Sequence, residues 1–173
     1  MPRLVVPIAV LALSYALFFG CVAATYGDLP PEIASHFDFH GNPDGWMNRG
    51  VGIGVMIAVA IIVPAIVIGS MAGAGHIPVS FINLPHRDYW LAPERRQSAL
   101  AALLRYSIWF AALNVLLLTG LHWLTVEANL HGGSHLNMSN LAILLALYLV
   151  GTAVWTFLLL RHFSKISGPL SAT

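Results

Sequence analysis

Charged side chains are scarce in this chain of 173 residues, in which only 9% are Asp, Glu, Lys or Arg and 58% are hydrophobic. A soluble domain carries about 25% charged residues, and the mean hydropathy of +0.78 is high. The composition therefore predicts an integral membrane protein. The net charge of +1 gives no extended positive field. Because nucleic-acid binders need a basic patch or stripe, nucleic acid is excluded as a partner.

Catalytic and disulfide-forming patterns are also missing. The single cysteine, Cys21, lies in an apolar run, has no second cysteine to pair with, and is interpreted as a small buried hydrophobe. No acidic residue or lysine interrupts an apolar segment, and no nucleophile elbow, phosphate loop or HExxH motif occurs. Intramembrane transport relays need such ionisable groups. We therefore expect no chemical turnover.

Four apolar segments reach the roughly 18 to 20 residues needed to cross a bilayer. They predict an all-α integral membrane four-helix bundle, which we interpret as one domain over residues 1–173. The expected helices cover residues 4–26, 51–73, 94–126 and 140–162, and the connections cover residues 27–50, 74–93 and 127–139.

The distribution of basic residues predicts the orientation. The first and third connections carry only Arg49, whereas the other basic residues lie near the termini and in the second connection. Because basic residues favour the cytoplasmic side, both termini and connection 74–93 are predicted inside, and connections 27–50 and 127–139 outside. Arg105, a few residues into the third helix, is expected to snorkel to the inner interface.

Residues 29–46 read LPPEIASHFDFHGNPDGW and form the most polar part of the outer face. Pro30 and Pro31 end the first helix, and the alternation that follows slightly favours extended structure. Residues 41–45 form a strong turn cluster, and Trp46 is expected at the headgroup level. Two interpretations stay open: a tight cap that joins the first two helices, with His36 hydrogen-bonded inside it, or a ligand-recognition surface.

Five of the eight histidines fall on the predicted outer side, including His122. The pairs at four-residue spacing, with acidic residues nearby, have the composition of a transition-metal site. The predicted ligands are His36, His40, His131 and His135. The alternatives are a pH-responsive outer face and histidines that are only tolerated at an interface.

The outer segment resembles the hallmark of the Sdp-type immunity membrane proteins, whose N-terminal module is a domain of unknown function. The matching residues are Leu29, Pro30, His36, Phe37, Gly41, Pro43, Asp44 and Trp46. Residues 82–96, INLPHRDYWLAPERR, resemble a second element of that family. The resemblance implies a multi-pass protein of the bacterial inner membrane that resists a secreted toxic peptide and relays its presence to a cytoplasmic repressor. If the outer loop is a ligand-recognition surface, the candidate ligand-binding residues are those of this motif: His36, Phe37, Gly41, Pro43, Asp44 and Trp46.

The inner connection offers two interpretations. Its aromatic and basic residues can anchor the third helix on anionic lipid headgroups, or they can dock a cytoplasmic protein. The candidate docking residues are Arg87, Asp88, Tyr89, Trp90, Arg95 and Arg96. The sequence as a whole favours envelope ligand binding or sensing without catalysis. The alternatives are a metal-binding envelope protein or metalloenzyme that uses the outer histidines, and a structural subunit with an integral membrane partner.

Overall fold

A computed structural model describes residues 2–130 and 135–166, with the side chains of Pro2 and Arg3 left out. Within these residues, four helices are long and apolar enough to cross a membrane. The prediction of an all-α membrane bundle is confirmed, and the chain is a multi-pass membrane protein. In chain order the elements are α1 Pro2–Thr25, β1 Glu32–Phe37, β2 Pro43–Asn48, α2 Arg49–Ala72, α3 Arg87–Trp90, α4 Pro93–Leu130 and α5 Met138–Phe163, with 3-10 turns at Gly73–His76 and Val79–Phe81.

Helix α4 forms the centre of the bundle. It packs against α1, α2 and α5, and the main partner of α5 is α4. Small buried side chains at Ala99, Ala102, Ala111 and Ala112 let the neighbouring helices approach closely. The only buried residue of α5 is Phe163, at its last position. Helix α5 is therefore a peripheral helix with most of its apolar surface turned outward.

The helix boundaries differ from the sequence prediction by one to four residues, and the structure gives a reason for two of these differences. Helix α2 begins at Arg49 rather than 51, because the Asn48 side chain caps it by accepting a hydrogen bond from Gly50 N–H at 2.8 Å. Helix α4 continues to Leu130, four residues past the predicted end. Its last turns are buried at Val126 and Asn129, so tertiary packing extends this helix beyond its apolar stretch.

The bundle has two unlike ends. The α1–α2 connection, with its β-hairpin, and the α4–α5 connection meet at one end, which we call the hairpin end. The 3-10 turns and α3 lie at the other, the opposite end. At the opposite end Trp90 Nε1 donates to the Phe163 carbonyl oxygen at 2.7 Å, and its indole stacks on the His162 ring. Helix α3 thereby holds the C-terminal end of α5.

Candidate functional site

The α1–α2 connection folds into an antiparallel β-hairpin on the end of the bundle. Glu32 pairs with Asn48, Ile33 with Met47 and Ala34 with Trp46, and irregular register follows toward the tip. Ile33 is buried in the same apolar cluster as residues of α1 and α2. The extended structure that the alternation favoured is therefore present, and β1 is anchored by burial of two neighbouring residues, Ile33 and Ala34.

Asn129, near the end of α4, binds the outer edge of β1. Its Oδ1 accepts from Ala34 N–H at 2.7 Å, and its Nδ2 donates to the Ala34 carbonyl oxygen at 3.0 Å. Ala34 is fully buried and Asn129 is 9% exposed. The amide thus pairs with β1 as a neighbouring strand would, and it joins the hairpin to the central helix.

Arg49 joins the end of α1 to the start of α2. Its guanidinium donates to the carbonyl oxygens of Tyr26, at 3.0 Å, and Leu29, at 2.6 Å, and lies 4.5 Å from the centre of the Tyr26 ring. These carbonyls follow the helix end, where backbone acceptors lack helical partners. The one basic residue of this connection is therefore a structural clamp.

The hairpin tip is tied both internally and to the second connection at this end. Asp38 Oδ1 accepts from His40 N–H at 2.8 Å and from Asn42 N–H at 2.9 Å. Gly41 has a positive φ of 85°, and its carbonyl oxygen accepts from Leu136 N–H at 2.8 Å. The tip is thus held against the segment that leads into α5.

The charge on Asp38 stabilises this tip. Hydrogen bonds, first from the Asn42 side chain and then from the Asn42 backbone, lower the pKa of Asp38 below its ordinary 3.8. A carboxyl whose pKa is lower in the folded protein stabilises it above the unfolded pKa and loses this contribution as pH falls through the folded value. We predict that Asn42→Ala raises the pKa of Asp38 toward 3.8, measured by carboxyl-carbon NMR titration. An unchanged titration midpoint would contradict this assignment.

The exposed surface of the hairpin combines an ion pair with aromatic rings. His36 Nδ1 is hydrogen-bonded to Asp44 Oδ1, and these side chains are 74% and 49% exposed. Trp46 is 49% exposed, and Phe39 at the tip is 96% exposed. Phe39 was not among the predicted site residues, although its place beside a turn cluster on a polar loop could have indicated an exposed ring.

The six ligand-binding residues predicted from the resemblance divide into two groups. His36, Asp44 and Trp46 are exposed together on the hairpin. Phe37 pairs with Pro43 across the strands, both are half-buried, and Gly41 is buried at the tip. The second group shapes the hairpin, and the first is available for contact.

The two edges of the hairpin differ. In an antiparallel ladder, opposite residues alternate between pairs that hydrogen-bond to each other and pairs that do not. Arg49 N–H donates to the Pro31 carbonyl oxygen, which makes Pro31 and Arg49 a hydrogen-bonded pair. Ala34 and Trp46, three positions further along the ladder, are therefore a pair without mutual hydrogen bonds. The backbone groups of both residues then point away from the partner strand. Those of Ala34 are bound by Asn129, whereas in the described residues no protein group bonds those of Trp46. At this pair, within the described residues, the β1 edge is closed by Asn129 and the β2 edge is open.

The histidines predicted as metal ligands are not gathered in one place. His36 is paired with Asp44, whereas His40 and His135 line a cavity of about 480 Å³ together with Glu127. His131 lies outside the described residues. Within residues 2–130 and 135–166, no group of three or more His, Cys, Asp or Glu side chains is arranged to hold a metal ion. The metal site stays a prediction from sequence.

His122 does not belong to the exposed set. It is fully buried between α4 and α1, where its Nε2 lies 3.0 Å from Thr25 Oγ1 and its ring contacts Phe18 edge-on. Thr25 already donates to the Cys21 carbonyl oxygen, so His122 Nε2–H is the donor in the pair. This histidine packs the bundle and cannot share a ligand with the loop histidines.

The predicted docking residues at the opposite end have mixed roles. Trp90 holds α5, and Arg96 donates to the Gly75 carbonyl oxygen at 2.9 Å. The Arg95 guanidinium lies 4.2 Å from the centre of the half-buried Tyr89 ring. Arg87 contacts Asp88, whose side chain is 91% exposed. The surface that a partner can reach is thus the part formed by Arg87, Asp88 and Arg95.

Comparison with known proteins gives a family of undefined role. A family profile described as "Domain of unknown function (DUF1648)" matches residues 5–62. These 58 residues are about a third of the chain and include most of α1, the whole hairpin and slightly more than the first half of α2. No curated protein matches the chain, and no solved structure matches it. The matched region contains the hairpin, and the match assigns no activity.

Proposed function

We propose that the hairpin end binds an extended peptide outside the bacterial inner membrane, by addition of a strand to the open edge of β2, and that the protein senses this peptide without chemical turnover. The observation that carries the proposal is the contrast between the closed edge at Ala34 and the open edge at Trp46. Exposed strand edges accept peptides through backbone hydrogen bonds, and neighbouring side chains give specificity.

Rigidity supports this use of the edge. Asn129 bonds the hairpin to α4, and Leu136 bonds its tip to the segment that leads into α5. Arg49 clamps the base of the hairpin, where α1 ends and α2 begins. A surface that is already ordered loses less conformational entropy on binding. The exposed Trp46 beside the edge is the residue type most enriched in binding hot spots.

The distribution of charge supports the orientation. The hairpin end has one basic residue, Arg49, and five acidic residues, Asp28, Glu32, Asp38, Asp44 and Glu127. The remaining seven basic residues belong to the opposite end, with only Asp88 and Glu94 as acids. By the preference of basic residues for the cytoplasm, the hairpin faces outward and both termini face inward.

The resemblance to Sdp-type immunity proteins supports a secreted peptide as the ligand, because the resembling residues are those of the hairpin. In that case binding of the peptide would be relayed to a cytoplasmic protein that docks at the opposite end, where Arg87, Asp88 and Arg95 form the accessible surface. Both statements follow from the resemblance and extend the proposal.

The test separates the backbone of Trp46 from its side chain. A random dodecapeptide library is selected against the protein in lipid nanodiscs, and dissociation constants of the selected peptides are measured for Trp46→Pro and Trp46→Ala. Proline removes the outward N–H, which the β1 ladder does not use, and is tolerated on an edge strand. We expect Trp46→Pro to weaken binding tenfold or more, and Trp46→Ala to weaken it several-fold less.

Trp123→Ala, which removes a 56% exposed tryptophan of α4, is the matched control and should leave binding unchanged. Equal losses for Trp46→Pro and Trp46→Ala would show that the indole alone binds, and would contradict strand addition. Failure to select any peptide that Trp46→Pro weakens would contradict peptide binding at this edge.

A further inference from the structure

Arg105 of α4 lies where two cavities adjoin between α1 and α5. One is a polar cleft of about 710 Å³ that opens toward the opposite end, and the other is an apolar groove of about 600 Å³ along the side of the bundle. Arg105 lines both. A basic side chain therefore lies between the two cavities and lines each of them.

The polar cleft offers room and hydrogen-bonding groups. Ser98, Ala101 and Ala102 are small and leave space in the cleft between Arg105 and the opposite end. Gln97 and His162 add polar side chains to the walls of the cleft. Its acidic residue, Glu94, precedes Arg105 by eleven positions, which is about 16 Å along a helix axis. The ion pairs of the described residues do not include one between Glu94 and Arg105.

The groove has the lining expected for a hydrocarbon chain. Trp109, Leu113 and Leu116 of α4 line it together with Gly151 and Val154 of α5. Apart from Arg105 and Tyr106, its lining residues are apolar or tryptophan. The peripheral packing of α5, held mainly by α4, leaves this space between α5 and α1.

The charge of Arg105 is uncompensated within the described residues. The ion pairs there are His36 with Asp44, His40 with Asp38, and Arg87 with Asp88. The Arg105 side chain is half-buried, and its guanidinium lies 5.5 Å from the centre of the Tyr106 ring. A partly desolvated cation gains from an anion at hydrogen-bond distance.

We infer that this site binds one anionic phospholipid, with its phosphate on Arg105 and one acyl chain in the groove between α1 and α5. The chemistry requires both a negative headgroup and an apolar chain, and basic pockets between membrane helices bind such headgroups. The site lies at the end away from the hairpin and does not depend on the proposed function.

Native mass spectrometry of the detergent-purified chain tests the site, with phosphatidylglycerol and phosphatidylcholine as probes. We expect one phosphatidylglycerol per chain, bound about tenfold more tightly than phosphatidylcholine. Arg105→Gln should weaken phosphatidylglycerol binding about tenfold. Arg161→Gln removes the same charge from an exposed position of α5 that does not line either cavity, and it should have no effect.

The acyl chain is tested separately. Val154 is 51% exposed and lines the groove, so Val154→Trp fills it without entering the core. This variant should also lose phosphatidylglycerol, and millimolar inorganic phosphate should not displace the lipid from the unmodified protein. Equal losses in Arg105→Gln and Arg161→Gln would overturn the site. Unchanged binding in Val154→Trp, or displacement by phosphate, would overturn the assignment to a lipid.

Discussion

Replacing Asn129 with leucine is expected to lower the free energy of unfolding by about 3 kcal/mol, because each buried polar group left without a partner costs about 1 to 3 kcal/mol. Leucine has a similar volume, so little packing is lost. The variant leaves the N–H and carbonyl oxygen of Ala34 without their partners, and Ala34 is fully buried. The effect is large for an exchange of one side chain because both groups lose their partner together.

Denaturation in mixed micelles measures the change. Asn140→Leu is the matched control, since Asn140 is exposed in the first turn of α5 at the same end of the bundle. Its expected effect is within about 0.5 kcal/mol. Similar losses in the two variants would show that the Asn129 amide does not hold the hairpin.

Gly41→Ala is expected to cost about 2 to 3 kcal/mol of stability. The positive φ of 85° at Gly41 already costs an ordinary residue about 1 to 2 kcal/mol. An added Cβ would also press against the backbone carbonyl oxygen of Leu136, which cannot rotate away as a flexible side chain can. The hairpin tip would therefore separate from the segment that leads into α5.

The same denaturation experiment tests this position, with amide exchange at Leu136 as a local readout. Leu136 N–H donates to Gly41, so its exchange should accelerate in the variant. Gly27→Ala is the control, because Gly27 lies in the same connection and a Cβ there meets nothing within 4 Å. If both alanine variants behave alike, the tip is not a constrained contact.

Hydropathy was sufficient to predict the four spanning helices, because the bilayer requires long apolar runs in which the backbone bonds to itself. Local chemistry located the turn only in part: the predicted cluster at residues 41–45 includes Gly41 and Asn42 of the tip, but β2 already begins at Pro43. The tip is closed instead between Asp38 and Asn42, whose side chains bond as Asx residues do in turns. Each of these features depends on residues near one another in the chain, and a single sequence displays that information directly.

The ties that make the hairpin rigid could not be predicted. Asn129 and Ala34 are 95 positions apart, and nothing in the local sequence marks this amide as the partner of a strand edge. From the sequence, Arg49 was interpreted only as the one basic residue of the outer connections, although its guanidinium bonds two carbonyl oxygens just after the end of α1. His122 was grouped with the outer histidines because its position along the chain did not reveal its burial against α1.

Residue-resolved hydrogen exchange of the free protein in nanodiscs tests most directly whether the hairpin is a rigid platform with one open edge. The Ala34 amide, bound by Asn129, should be among the slowest of the hairpin, and the Trp46 amide should exchange much faster although it faces Ala34 across the ladder. Comparable rates at these two positions would contradict the account: if both are fast the hairpin is not held, and if both are slow the β2 edge is already covered.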